Sequence, residues 1–92
     1  METLALSKRV RILNKRGLHA RASAKFVTLA SQFDASVRVS KEGSEVTGTS
    51  IMGLMMLAAA IGEEITINAS GRQANEALAA LVGLVEAKFD EE

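Results

Sequence analysis

His19 is the only histidine of the 92-residue chain, and it lies in the stretch Gly17-Leu18-His19-Ala20-Arg21. This stretch joins a segment patterned as a strand to one patterned as a helix. An imidazole placed there sits beside the unpaired N–H groups that open a helix, with an arginine two residues on. Those parts suit a nitrogen nucleophile that carries a phosphoryl group. The positive end of a helix disfavours the imidazolium form and so keeps the ring nucleophilic. The N–H groups of Ala20, Arg21 and Ala22 can meet the phosphoryl oxygens. Arg21 can add a charge-assisted bond. Gly17 lets the turn enter a conformation closed to other residues, and a turn is open to a donor. On spacing alone, a lone histidine near a helix start is more often a surface residue or a local cap. Arg21 alone reads as a solvated helix charge.

Composition narrows the chemistry. Eleven basic residues balance eleven acidic ones, so net charge gives no reason to expect nucleic acid or an anionic membrane as a partner. Only three aromatic rings are present, Phe26, Phe33 and Phe89, too few for stacking on single-stranded bases. There is no cysteine, which removes thiolate and iron–sulfur chemistry. One histidine cannot build a histidine-rich metal site, no carboxylate ligand cluster is visible, and no cofactor is expected. The apolar run Ile51 to Ile61 is too short to span a bilayer. Met1-Glu2-Thr3 lacks the basic start of a signal peptide. A soluble cytoplasmic protein of one domain, 1–92, is expected.

The elements that must position His19 follow from hydrophobic period. Residues 1–6 read as a lead-in. From Ser7 to Asn14, Val10 and Ile12 alternate with Arg9, Arg11 and Leu13, which predicts a strand with one buried face. Lys15-Arg16-Gly17 is a turn. From Ala20 to Phe33, Phe26, Val27, Ala30 and Phe33 fall on one helical face. Ala35, Val37 and Val39 alternate with polar residues in a second strand, Lys41-Glu42-Gly43-Ser44 turns the chain, and Glu45-Val46-Thr47 is a third strand antiparallel to it. Ile65, Ile67 and Ala69 form a fourth strand. A last helix starts between Ser70 and Gln73 and runs to about Phe89, with Ser70 and Gln73, or Gln73 and Glu76, as a capping box. Gly83 within it predicts a close helix contact. The order βαββαβα with alternating strands points to an α+β fold. It is an open-faced sandwich, with a four-stranded antiparallel sheet and helices on one face.

Ser50 is placed to cap a short helix from Ile51 onward. Ile51, Met52, Leu54, Met55, Met56 and Leu57 cannot all point inward from it. Leu54 and Leu57 suit the core, which leaves Ile51, Met52 and Met55 toward solvent. A methionine-rich helix is usually core filler, but a run that is apolar nearly all round favours an exposed patch able to fit several partners.

Gly17-Leu18-His19-Ala20-Arg21-Ala22-Ser23-Ala24-Lys25-Phe26-Val27 resembles the active-site segment of the HPr family, the histidine-containing phosphocarriers of the bacterial phosphotransferase system. Ser50-Ile51-Met52-Gly53-Leu54-Met55 resembles that family's regulatory-serine helix. Both the spacing of the two motifs and the element order agree with the family. The resemblance covers nearly the whole chain, apart from a slightly longer N-terminus. It implies three helices on one face of the sheet. It also implies that His19 accepts a phosphoryl group on Nδ1 from enzyme I, the phosphoenolpyruvate-dependent protein kinase, and passes it to the A domain of an enzyme II. By the same resemblance Arg21 supports the active site and Ser50 is the target of a serine-directed HPr kinase/phosphorylase. The Ile51, Met52 and Met55 patch is then the docking surface for donor and acceptor. Such a protein is a monomeric carrier and a substrate of other enzymes, with no turnover of its own. One residue departs from the pattern: family members usually carry proline where this chain has Ala22. Alanine keeps an N–H and frees the turn slightly, but proline supplies no reactive group.

Other readings stay open at the level of sequence. A nitrogen-type regulatory phosphorelay uses similar carriers. A small phosphate-handling hydrolase could use Arg21 to grip phosphate, although Gly17–Ala24 offers alanines where a hydrolase needs a polar partner for water. A purely regulatory module acting through Ser50 would have no need of His19.

Overall fold

Alternation in the strands sets one face of a sheet toward the core. The computed structural model describes residues 5–91, and the four strands are β1 (Ala5–Arg11), β2 (Ser36–Lys41), β3 (Ser44–Thr47) and β4 (Glu64–Ser70). They form one sheet in the order β1-β4-β2-β3. Each neighbouring pair is antiparallel, with Val10 opposite Ile65 and Val39 opposite Ile67. Val10, Val37, Val39, Ile65, Ile67 and Ala69 are buried on one face. Arg9, Arg11 and Arg38 stand exposed among the alternates.

Three helices cover the buried face: α1 (Ala20–Ala30), α2 (Ile51–Met56) and α3 (Ala74–Glu86). Phe26, Leu54, Leu81 and Val85 join Ile12 and the strand residues in a continuous core. Burial of each large aliphatic or aromatic side chain there stabilises the fold by about 1.5–3 kcal/mol. The α+β open-faced sandwich read from the sequence is the architecture observed. Among the described residues no helix is long and apolar enough to cross a membrane, and no group of three potential metal ligands is present.

Several boundaries differ from the reading of the sequence. β1 begins at Ala5 and ends at Arg11, because Ala5 and Leu6 pair with Ser70 and Ala69. Residues 1–4 of the expected lead-in lie outside the described residues. Ile12 is fully buried just beyond the strand, where its N–H donates to Glu63 O at 2.8 Å and its carbonyl accepts from Gly62 N at 2.8 Å. α1 stops at Ala30, three residues short of the expected end at Phe33. There the bonds tighten to the i−3 type, with Gln32 N donating to Leu29 O and Phe33 N to Ala30 O. The expected capping box at α3 does not form. Gln73 makes no side-chain cap, since its Oε1 accepts from the Asp34 N–H at 2.7 Å instead. Gly83 has no close helix contact: a Cβ there would meet nothing within 4 Å.

The largest difference is at the C-terminus. α3 ends at Glu86, and Lys88–Asp90 make a tight turn. Lys88, Phe89 and Asp90 have φ of 58°, 55° and 60°, a left-handed conformation that disfavours each L side chain by about 1–2 kcal/mol. Phe89 is fully buried as expected, but it reaches the core from this turn rather than from a helix. The turn swings the chain after α3 back toward the start of α1.

Candidate functional site

Gly17 sets the geometry before His19. Its φ is +63°, and a Cβ on it would lie 2.2 Å from Ala59 O. A side chain is therefore excluded by contact with the segment after α2 as well as by backbone conformation. The neighbouring Leu18 N–H donates to the same Ala59 O at 3.0 Å, and Leu18 is buried. Asn14 closes the turn from inside, its Nδ2 donating to Gly17 O at 2.9 Å. The turn is thus pinned on two sides, and His19 follows with extended backbone as the N-cap of α1.

The His19 side chain does not cap the helix. Its carbonyl accepts the first helical bond, from Ser23 N at 2.9 Å, so the N–H groups of Ala20, Arg21 and Ala22 have no partner within α1. Ala20 and Arg21 are exposed, whereas Ala22 has no exposed surface. The two exposed residues are therefore the accessible part of the expected trio. α1 starts cleanly with alanine at position 22, so the helix start does not need the missing proline.

His19 stands in a cleft of about 310 Å³ with cations on one side and the chain end on the other. Lys15 and Arg16 come from the turn, Arg21 and Lys25 from α1, and Asp90 and Glu91 from the tail. Among the described residues Lys15, Arg16 and Arg21 make no ion pair, while Lys25 Nζ donates to Phe89 O at 2.7 Å. A larger cleft of about 570 Å³ lies along Arg9, Arg11, Lys41, Glu63 and Glu64 and contains neither His19 nor Ser50. Its basic groups face carboxylates: Arg11 and Glu64 at 3.2 Å, Lys41 and Glu63 at 3.0 Å. The smaller cleft is the one with positive charge left for an incoming anion.

Glu91 is the residue that sequence reasoning missed. Its carboxylate binds His19 Nε2 through Oε2 and accepts from Asn14 Nδ2 through Oε1 at 3.0 Å. Desolvation pushes this carboxyl up. The hydrogen bonds from Asn14 and His19, with the charges of His19 and Lys25, outweigh that and hold it below the ordinary carboxylate range. No periodicity or spacing pairs residues 72 apart. Asn14 read only as the end of a strand, and Lys25 only as a member of the motif.

Ser50 caps α2 as expected, its Oγ accepting from Gly53 N at 2.9 Å. Neither Ser50 nor the patch residues line the His19 cleft. Ile51, Met52 and Met55 are exposed at 40%, 71% and 40%, and Leu54 and Leu57 are buried. Met56, also on α2, is exposed at 78% beyond the expected set. The far end of α2 is held by Lys41, whose Nζ donates to the carbonyls of Leu57 and Ala58.

Known proteins resemble this chain in sequence and fold. Residues 6–87 match the family described as PTS HPr component phosphorylation site. The phosphocarrier protein HPr of Neisseria meningitidis serogroup A is 51% identical over 86 residues, covering 94% of this chain and 97% of its own. The phosphocarrier protein NPr of Shewanella violacea is 44% identical over 86 residues, covering 94% of each. The crystal structure of an HPr from Bacillus anthracis superposes with a TM-score of 0.85 at 44% identity, over 88% of this chain and 96% of that one. With a glycine-pinned histidine at the start of α1, a serine-capped α2 and full-length likeness of sequence and fold, the chain belongs to the HPr family of phosphocarrier proteins.

Proposed function

We propose that the whole chain, 1–92, is one cytoplasmic phosphocarrier domain that works as a monomer. His19 takes a phosphoryl group on Nδ1 from enzyme I and yields it to an enzyme II A domain. The observation that carries this reading is the setting of His19, an N-cap whose side chain leaves the helix start uncapped, in a cleft lined by Lys15, Arg16, Arg21 and Lys25. The partial positive charge of α1, the Ala20 and Arg21 N–H groups and the Arg21 guanidinium all favour phosphoryl oxygens placed beside the ring. The exposed apolar side chains of Ile51, Met52 and Met55, extended by Met56 on the same helix, give both partners one adaptable docking surface.

Incubation with enzyme I and phosphoenolpyruvate should add one acid-labile phosphoryl group, absent in His19→Ala. A wild-type protein that takes no label would end the carrier reading. Ser50 is proposed as a regulatory site. Its Oγ faces the N–H groups of α2, so a phosphate there would be held by the helix end and would repel acidic partners. A serine-directed HPr kinase with ATP should add acid-stable phosphate, and persistence of that label in Ser50→Ala would remove the assignment.

Nitrogen-type regulation is the second reading. The Shewanella violacea NPr relative, as similar in length and nearly as similar in sequence as the HPr relatives, favours keeping it. A chase of labelled protein with sugar-type and nitrogen-type A domains separates the two by rate.

A further inference from the structure

The tail of this chain is built to hold a carboxylate against the reactive imidazole. Three consecutive left-handed residues would not persist unless their surroundings over-determined them. Phe89 is fully buried, Lys25 Nζ ties down its carbonyl, and Asp90 N and Glu91 N bond to Ala87 O and Lys88 O. Beyond these anchors Glu91 enters the His19 cleft with its side chain only 13% exposed. Asn14, fully buried, fixes the carboxylate in turn. The orientation of its amide is set by two acceptors, Gly17 O and Glu91 Oε1, both of which require Nδ2.

We infer that Glu91 is a positioning residue for phosphoryl transfer, selecting the His19 tautomer that is protonated on Nε2 and stabilising the cationic ring that forms when Nδ1 is phosphorylated. This rests on the phosphocarrier reading above. An ionised carboxylate only accepts hydrogen bonds, so Nε2 must carry the proton it receives. The lone pair is then on Nδ1. Nδ1 forms the N–P bond while the bond from phosphorus to the donor's leaving atom breaks with its electron pair. The Nε2 proton stays in place, and the ring becomes a phosphoimidazolium bonded to Glu91. On transfer the N–P pair returns to the ring, which departs as a neutral imidazole with the same proton. No proton has to move in either direction.

Among the described residues the charged groups lining the cleft around the ring are Lys15 and Arg16 from the turn, Arg21 and Lys25 from α1, and Asp90 and Glu91 from the tail. The four cations oppose a charged ring, as does the positive end of α1. Glu91 is the carboxylate in direct contact that counters them.

The test uses the full chain with Glu91→Gln and Glu91→Ala. Imidazole ¹⁵N shifts of unlabelled protein should show the Nε2-protonated tautomer in wild type and a mixture in Glu91→Ala. Labelling by enzyme I should slow roughly tenfold in Glu91→Ala, the lower end of the loss when a metal-bound histidine loses the group that orients it. Hydrolysis of the phosphohistidine should lose its protonated, labile form at lower pH in both variants than in wild type, a shift that a purely structural tail would not cause. An unchanged tautomer, labelling rate or hydrolysis profile in folded Glu91→Ala would overturn the inference. If wild type takes no label, the carrier reading fails, and the tautomer comparison still decides the positioning claim.

Discussion

At the scale of single residues, the site depends on contacts made across the chain. Gly17 is compulsory because Ala59 O occupies the space of its Cβ. The sequence shows a glycine in a turn, which indicates backbone freedom but not the contact behind it. His19 and Arg21 were legible because their chemistry and short spacing are local. Glu91 was not, because its contact with His19 depends on a turn with no glycine to announce it. Among the described residues two carboxyls are held low in the fold. Glu63 accepts from the Ala60 N–H and pairs with Lys41, and Glu91 is bonded by Asn14 and His19. Both lie below the ordinary 4.5, so the folded chain binds fewer protons there than the unfolded one. Their stabilisation is complete above about 4.5 and is lost as pH falls through the folded values. The urea midpoint should drop between pH 5 and 3, and less so in Glu63→Gln. A flat or rising midpoint in wild type over that range would contradict the assignment.

Elements were legible wherever hydrophobic period alone decided them. The alternation of β2 and β4 and the face of α3 marked by Ala77, Leu81 and Val85 stand where the pattern put them. Ser50 also caps α2 as its residue type implied. The ends of elements were less legible, since long-range bonds set them. Gln73 is diverted to Asp34, and the 3.6-residue period carried on to Phe89 identified a buried residue while missing the left-handed turn that buries it. Gly83 shows the opposite error. Its place inside a helix implies a packing requirement, yet it lies exposed in α3 with open space beside it. Gly83→Ala should therefore stabilise the protein by about 1 kcal/mol, raising Tm by roughly 4–8 °C for a domain of this size. A lower Tm would show that the glycine serves a contact absent from this structure.

Across the whole molecule, the sheet and helices divide structure from exchange. One face of the sheet and the inner sides of α1, α2 and α3 form the core. The outer side of α2, with Ile51, Met52 and Met55 exposed, and the His19 turn are the surfaces proposed for partners. They are joined through Ala59, the carbonyl just after α2 that receives the Leu18 N–H. The exposed apolar surface of α2 was legible in part: a six-residue helix cannot bury an all-round apolar surface, but which methionines face outward depends on how α2 sits against α1. Met52 is 71% exposed, so Met52→Asp should change stability by less than about 0.5 kcal/mol. It should slow labelling by enzyme I and unloading to an A domain alike. Unaltered rates in both directions would remove the patch from the docking surface.

The central claim is that His19 Nδ1 carries the phosphoryl group. Its most direct measurement is ³¹P and ¹⁵N NMR of the chain after incubation with enzyme I and phosphoenolpyruvate. The account predicts one phosphoryl group per chain, bonded to Nδ1 of His19, acid-labile and absent in His19→Ala. A phosphoryl group on Nε2, or on any residue other than His19, would contradict it.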